Sequence, residues 1–191
     1  MKKIITIAYI LLNTIVYSQN GIDWDDKYQL KQSDFQSSAS QIGNTNNFNL
    51  SIGSGFEFSF SMSNIEFMFT KNFNSKVSNS FKPKSAALVA PNVEIAKYLI
   101  DFAQFQFNLS ELYARNLRKK LHDEKKTFSN ISFFKPIYDE IQNEYSQRIT
   151  NASKETDLGR NKEKLKLLQE QVLKEIQELS NFCKECKIAK K

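Results

Sequence analysis

A helical repeat of apolar residues over 92–121 constrains the fold of this 191-residue chain more than any other feature. The repeat begins just after Pro91 and continues to about Leu121. Its apolar members recur at helical spacing, at positions 95, 99, 102, 109, 113 and 117. This spacing places them on one face of an α-helix, so we expect a long amphipathic helix that packs against a core.

Two further helices are predicted after this one. The first begins at Pro136 and runs to about Ile149, because proline favours the first turn of a helix. Its apolar face carries Ile137, Ile141, Tyr145 and Ile149. Gly159 then marks a turn before a last helix over about 161–182. Its apolar positions are Leu165, Leu168, Val172, Ile176 and Leu179.

A period of two precedes the helices and predicts β-structure. The first alternating residues are Phe56, Phe58, Phe60 and Met62, and after a turn at Ser63-Asn64 the alternation resumes at Ile65, Phe67 and Phe69. Residues 71–85 are rich in Asn and Ser and are interpreted as a polar connection. Because strands come first and helices follow, we expect an α+β domain over residues 19–182, with an antiparallel sheet and about three helices packed on one face.

The N-terminus has the features of a signal peptide over residues 1–18. Lys2 and Lys3 precede an apolar stretch that is short for a membrane span. We therefore expect a mature chain that begins at Gln19 and is exported, to the periplasm or beyond; a retained N-terminal anchor is the alternative. No later stretch is long and apolar enough to cross a bilayer.

The charge balance does not identify a partner. Loss of the signal would lower the formal net charge from +6 to +4, and the excess is spread along the helices. Nucleic-acid binding would favour a concentrated basic stripe interleaved with aromatic residues, which the sequence lacks. We expect no nucleic-acid partner.

Both cysteines, Cys183 and Cys186, lie in a basic C-terminal tail over residues 183–191. For an exported chain a local disulfide is the leading interpretation. A redox-active pair normally begins a helix after a strand, and two thiols are half of a zinc site, so redox and metal roles are the weaker alternatives.

The residues required by common catalytic sites are missing. His122 is the one histidine, and it lies among charged residues near the predicted end of the long helix. It cannot complete a zinc site of the HExxH kind, and no GxSxG, Walker or GxGxxG motif occurs.

The segment "LIDFAQFQFNLSELYARNLRKKL" nevertheless resembles the active-site helix of a family of bacterial predicted secreted zinc-dependent proteases, approximately L-H-E-Q-x-H-F-D-I-x-E-L-x-A-R-x-L-R. The shared residues are Gln104, Phe107, Glu111, Leu112, Ala114, Arg115, Leu117 and Arg118. The resemblance implies a zincin-like helix over 92–121. It places Phe102 and Gln106 where the family has its two helical histidines, and Ala103 where it has the glutamate.

Three weaker segments follow the family pattern in the same order. "LKQSDF" is similar to L-T-W-x-D-F, with Gln32 at the tryptophan position. "SFKPKSAAL" is similar to a segment that ends in K-S-W, with Ala86 at its tryptophan. "SKETDLG" is similar to D-x-E-T-x-H-G, which places Leu158 at the third histidine.

The resemblance implies a vestigial metal site at Phe102, Ala103, Gln106 and Leu158, with no catalytic residue, no bound metal and no cofactor. In an HExxH helix the two histidines bind one zinc ion and the glutamate acts as general base. We therefore expect a non-catalytic, secreted pseudo-metalloprotease that binds an unknown envelope or extracellular partner through the old cleft or the exposed face of its sheet. A plain amphipathic helix without an ancestral site gives the same apolar face.

Two other functions remain open. One is a hydrolase with a non-standard metal or carboxylate site; its candidate residues are Asp101, Glu111, Glu155 and Asp157, which suit a hard cation such as calcium. The other is a structural envelope protein. The Glu111–Arg115 pair is expected on the solvent side of the helix, where it would stabilise little.

Overall fold

The computed structural model describes residues 21–59, 61–127 and 129–188, and the predicted signal peptide lies outside them. The described chain forms two small β-sheets and four α-helices, which confirms the predicted α+β class. The strands are β1 (Ile22–Asp23), β2 (Gln41–Ile42), β3 (Asn49–Ser51), β4 (Ser54–Phe58), β5 (Val77–Phe81) and β6 (Ala87–Ala90). The helices are α1 (Asn64–Phe69), α2 (Val93–Glu124), α3 (Phe134–Thr156) and α4 (Lys162–Glu178).

Helix α2 is the central element and confirms the predicted long helix. Asn92 caps its N-terminus, because the side-chain oxygen accepts a hydrogen bond from the Ile95 amide at 2.9 Å. With 32 residues the helix is about 48 Å long.

Two apolar cores lie on different faces of α2. The first joins the helix to β4, α3 and α4; its α2 residues include Phe102, Phe105, Leu109, Leu117 and Leu121. The second joins the N-terminal half of α2 to β5, β6 and the segment around Leu30; its α2 residues are Ala96, Leu99, Ala103 and Phe107. Helix α2 is therefore buried on more than one side, which explains its many large apolar residues.

The prediction of one antiparallel sheet was incomplete. The first sheet has the order β1-β5-β4 and is antiparallel throughout. The second has the order β2-β6-β3 and is mixed, because β2 runs parallel to β6 and β3 runs antiparallel to it.

The chain passes from one sheet to the other at Gly53 and Lys82, which lie side by side. The Lys82 amide donates to the Gly53 carbonyl at 2.9 Å. A Cβ on Gly53 would lie 2.6 Å from the Lys82 carbonyl oxygen, so a side chain there would push the two crossings apart. The predicted single sheet is divided into two at this crossing.

Ile65, Phe67 and Phe69 lie in helix α1 (Asn64–Phe69), not in the predicted strand. The Ser63 hydroxyl accepts a hydrogen bond from the Glu66 amide at 3.2 Å and caps the helix. The apolar residues of this segment fit both periods, since Ile65, Met68 and Phe69 share a helical face. The capping Ser63, which was interpreted as part of a turn, favours the helical period over the period of two.

Strand β4 confirms the alternation only as far as Phe58. Phe56 is buried and Glu57 is exposed, as predicted, whereas Met62 lies outside any strand and Phe60 is not described. Strand β5 lies within residues 71–85, which we had interpreted as a polar connection. It was missed because Asn79 occupies a buried position, where its side-chain oxygen accepts a hydrogen bond from Ser110 at 2.7 Å.

Helix α3 is longer than the predicted segment 136–149. It continues for two more turns because Ala152 and Thr156 extend the buried face with small side chains. Helix α4 is shorter than predicted, and a 3-10 turn over Ser180–Phe182 follows it.

The Glu111–Arg115 pair is buried, so its expected place on the solvent side was wrong. Glu111 Oε1 accepts hydrogen bonds from Arg115 Nε and from Arg118 Nη1, each at 2.9 Å. Arg118 Nη2 also donates to the Val77 carbonyl at 2.7 Å, and Arg115 Nη1 donates to the Ile176 carbonyl at 2.9 Å. The two arginines thereby join α2 to β5 and to the end of α4.

Candidate functional site

Phe102 and Gln106 lie one turn apart on α2, on the side that faces α3 and the α3–α4 turn. Phe102 is 2% exposed, and its ring centroid lies 5.9 Å from that of Phe105. Gln106 is half-buried. Phe102 is therefore part of the core, whereas Gln106 places a polar group at the surface of that core.

The turn between α3 and α4 has an unusual backbone. Asp157, Leu158 and Gly159 all have positive φ, at 51°, 52° and 93°. A left-handed conformation is uncommon for leucine and is more frequent for asparagine, aspartate and histidine. The Leu158 amide donates to the Ser153 carbonyl at 3.1 Å, which helps to hold this conformation.

Gly159 allows the turn to press against α2. A Cβ on Gly159 would lie 2.3 Å from the Tyr98 carbonyl oxygen and 3.2 Å from Phe102 Cβ. Only glycine fits this approach without a shift of the backbone. The contact places the neighbouring Leu158 beside the same face of α2 that carries Phe102.

Phe102, Gln106 and Leu158 line one groove of about 370 Å³. Strand β3 and the residue before it form one wall, and the last turns of α3 form the other. The remaining lining residues are Phe48, Asn49, Leu50, Ile149, Thr150, Ser153 and Lys154. The groove is therefore apolar at its base, with amide and hydroxyl groups and one ammonium group around it.

Tyr145 is the hydrogen-bond partner of Gln106, the polar residue that α2 contributes to this groove. Burial raises the pKa of Tyr145 to about 12, and a hydrogen bond with the Gln106 side chain opposes the rise. The Tyr145 ring also makes edge contacts with Phe56 and Tyr113, at centroid distances of 5.8 and 5.7 Å. The half-buried amide at 106 thus has a polar partner, and the phenol stays protonated at neutral pH.

An aromatic–cation contact lies beside the groove at Phe48. The Arg160 guanidinium carbon lies 5.1 Å from the centre of the Phe48 ring, and the same side chain pairs with Asp157 at 2.7 Å. This contact links the start of β3 to the α3–α4 turn.

Strand β3 is at the edge of its sheet. Its residues pair with β6 on one side, and no described strand pairs with its other side. Asn49 and Ser51 are exposed, while Leu50 lies in the wall of the groove. The groove therefore runs beside a strand that has backbone donors and acceptors available on its outer edge.

Ala103 does not line the groove. It is fully buried in the second core, near Leu88 and Ala90 of β6. A methyl group fits this apolar position, and a glutamate there would be a buried charge.

The four candidate carboxylates are not brought together. No group of three or more metal-binding side chains occurs among the residues that the structure describes. Each carboxylate instead interacts with its own cations: Asp101 with Lys97 and Lys162, Glu111 with Arg115 and Arg118, Glu155 with Lys164, and Asp157 with Arg160.

The cysteines and the histidine lie away from the groove. Cys183 and Cys186 are joined by a disulfide, with Cα atoms 5.0 Å apart. His122 is half-buried near the end of α2, where its Nδ1 lies 3.2 Å from Asp123 Oδ1 and its ring contacts Phe182.

The segments "LKQSDF" and "SFKPKSAAL" meet beside α2. The Ser37 amide donates to the Ala86 carbonyl at 3.0 Å, just after the turn that contains Gln32. Gln104 of α2 accepts a hydrogen bond from the Leu30 amide at 2.8 Å. These contacts bring the segments around residues 32, 86 and 104 into one layer.

Sequence reasoning did not predict that the alternating residues of "FNLS" would form a wall of the groove. Strand β3 has three residues, with asparagine and serine at its exposed positions, and its place beside α3 depends on the tertiary structure. Tyr145 was predicted only as a core residue of α3.

Comparisons of the chain with protein-family models, with curated proteins and with solved structures gave no match. Within residues 21–59, 61–127 and 129–188, no helix has both the length and the apolar character needed to cross a bilayer.

Proposed function

We propose that this protein is an exported, non-catalytic relative of zinc metalloproteases that binds an extended segment of an envelope or extracellular protein. The observation that carries the proposal is the groove lined by Phe102, Gln106 and Leu158. These three positions correspond, by the resemblance of their segments, to three zinc-binding histidines. Their meeting in one groove is what a vestigial metal site requires.

The chemistry of the replacements supports loss of catalysis. Phenylalanine and leucine have no lone pair for a metal, and the Gln106 amide is a weak, neutral ligand that already interacts with Tyr145. Ala103 has no group that accepts a proton from water, so the general base is also missing.

The walls of the groove support binding of an extended peptide. The outer edge of β3 offers main-chain hydrogen bonds, and the apolar base takes a side chain of the ligand. Phe48 is exposed at the end of the groove, where it provides an aromatic contact for the ligand. Lys154 in the opposite wall favours a ligand with a nearby carboxylate.

Metal content and proteolysis test the non-catalytic part. We expect the chain from Gln19, purified without chelator, to contain no stoichiometric zinc and to leave casein intact. Stoichiometric zinc together with cleavage that a chelator abolishes would overturn this part of the proposal.

Site-specific crosslinking tests the binding part. A photoreactive residue at Thr150, in the wall of the groove, is expected to capture a defined envelope protein in the native host. The same residue at Leu167, an exposed position on α4, serves as the control. Capture must be lost in the Phe48→Ser variant; equal capture from both positions, or capture that survives Phe48→Ser, would contradict a role for the groove.

A further inference from the structure

Helix α1 exposes three large apolar side chains on one face. Ile65 is 72% exposed, Met68 is 40% exposed and Phe69 is 78% exposed. Residues spaced by three and four positions lie on the same side of a helix, so the three form a continuous tip, here called the α1 tip. Such a cluster on six residues is unlike the single exposed apolar residues that most surfaces carry.

The opposite face of α1 is anchored, so the tip has a fixed direction. Phe67 is buried, with its ring centroid 5.9 Å from that of Phe133 and 5.5 Å from that of Phe134. The Lys125 ammonium group lies 4.3 Å from the centre of the Phe67 ring. The helix is thus held where α2 ends and α3 begins, with its apolar face outward.

Lysines surround the α1 tip. Lys71 follows the helix directly, and Lys126 is exposed beside Lys125. Burial lowers the pKa of Lys125, and the nearby charge of Lys71 lowers it further, which shows that these cations are neighbours. Lys76 reaches back to the Ser61 carbonyl at 3.1 Å. Glu66 is the one acidic residue of α1, and Asp123 and Glu124 precede Lys125, so four lysines against three acids leave an excess of positive charge around the tip.

We infer that the α1 tip is a docking site for an anionic lipid bilayer. Ile65, Met68 and Phe69 enter the boundary between headgroups and acyl chains, while Lys71 and Lys126 stay at the level of the lipid phosphates. Apolar insertion and attraction to anionic lipid act together in peripheral proteins of this kind. The protein is then held at the membrane surface without a spanning helix.

A second copy of the chain fits this surface less well. Three side chains bury far less than the roughly 800 Å² per partner of a standard protein interface. Two copies related by symmetry would also bring their lysines together, and like charges repel. An anionic bilayer offers an apolar phase to the three side chains and negative charge to the lysines.

Vesicle flotation tests the inference with the chain from Gln19. This form contains every core residue that the structure describes and lacks the apolar N-terminal stretch, which could bind lipid by itself. The probes are vesicles of phosphatidylcholine alone and vesicles in which about one third of the lipid is phosphatidylglycerol. We expect flotation with the anionic vesicles, little with the neutral ones, and weaker binding as salt is raised.

Variants separate the apolar and the electrostatic contributions to vesicle binding. Ile65→Ser combined with Phe69→Ser is expected to weaken binding to anionic vesicles at least about tenfold, since both side chains lose their insertion. Lys71→Gln combined with Lys126→Gln is expected to weaken binding and to reduce its salt dependence. Val93→Ser combined with Leu167→Ser removes two apolar residues of similar exposure elsewhere and is expected to change nothing.

Three results would overturn the inference. The first is equal binding of the parent chain and the Ile65→Ser, Phe69→Ser variant, with thermal melts showing that both are folded. The second is equal binding to neutral and anionic vesicles. The third is a dimer without vesicles that the same substitutions abolish, which would make the α1 tip a contact between copies.

Discussion

Gly159 lies against the backbone of Tyr98 so closely that a Cβ on the glycine would be 2.3 Å from the tyrosine carbonyl oxygen. This relationship fixes the distance between the α3–α4 turn and α2. It also brings Leu158 to the groove that Phe102 and Gln106 line. The candidate site therefore depends on one residue that has no side chain.

Gly159→Ala is expected to destabilise the fold by about 2–5 kcal/mol. The left-handed backbone costs about 1–2 kcal/mol for a residue with a Cβ, and overpacking adds about 1–3 kcal/mol. Gly43→Ala is the matched control, because Gly43 also has a positive φ but nothing within 4 Å of its Cβ position. Urea unfolding of both variants measures the difference; equal losses would show that the contact with Tyr98 is not tight.

Glu111→Gln is expected to lower the free energy of unfolding by about 3–5 kcal/mol. The substitution leaves Arg115 and Arg118 buried without their counter-charge, and Arg118 is fully buried. Asp139→Asn, which removes an exposed pair with Lys135, is the control and is expected to cost less than about 1 kcal/mol. Similar losses in denaturant unfolding would mean that the buried network contributes no more than a surface pair.

The Arg148–Glu175 pair between α3 and α4 is expected to make stability depend on pH. Arg148 donates to both carboxylate oxygens at 2.7 and 2.8 Å and lowers the pKa of Glu175. Because the folded pKa is lowered, the stabilisation is present above the usual glutamate pKa of about 4.3 and is lost as pH falls through the folded value. Glu175→Gln should therefore cost about 1 kcal/mol at pH 7, since solvent screens this half-buried pair, and nothing at low pH.

Asp101 is expected to make stability depend on pH in the opposite direction. Partial desolvation of this otherwise exposed side chain raises its pKa, although Lys97 and Lys162 oppose the rise. The charged form is therefore disfavoured in the folded state, and the resulting destabilisation is present above the folded pKa and vanishes below the usual aspartate value of about 3.9. Asp101→Asn should raise the melting temperature at neutral pH and leave it unchanged in acid. A lower melting temperature at neutral pH would mean that the two lysines outweigh burial.

Three histidines are expected to create a zinc site. The variant Phe102→His, Gln106→His, Leu158→His supplies three imidazoles around one groove, and histidine tolerates the left-handed backbone at 158 better than leucine does. Equilibrium dialysis should give one zinc ion per chain. The double variant without Leu158→His is the control and should bind more weakly. If the triple variant is folded and binds no more zinc than the parent chain, the groove does not have the geometry of a vestigial metal site.

The sequence alone determined the elements whose signal is local. The apolar repeat of α2 and the helical periods of α3 and α4 were predicted because each is long enough for a period of 3.6 to stand out. The existence of strand β4 followed from the alternation around Phe56 in the same way. Element ends were less certain: α3 continued to Thr156 on small buried residues that carry little hydrophobic signal.

The tertiary structure decided what depends on contacts between distant segments. The strands form two sheets in place of one, and the chain crosses between them where Gly53 and Lys82 lie side by side. Glu111 is buried because β5 and the end of α4 cover its arginines, which helical spacing cannot reveal. The groove exists because Gly159 and Leu158 lie against α2, more than fifty residues away in sequence. A periodic pattern specifies which face of an element is apolar, but only packing specifies what covers that face.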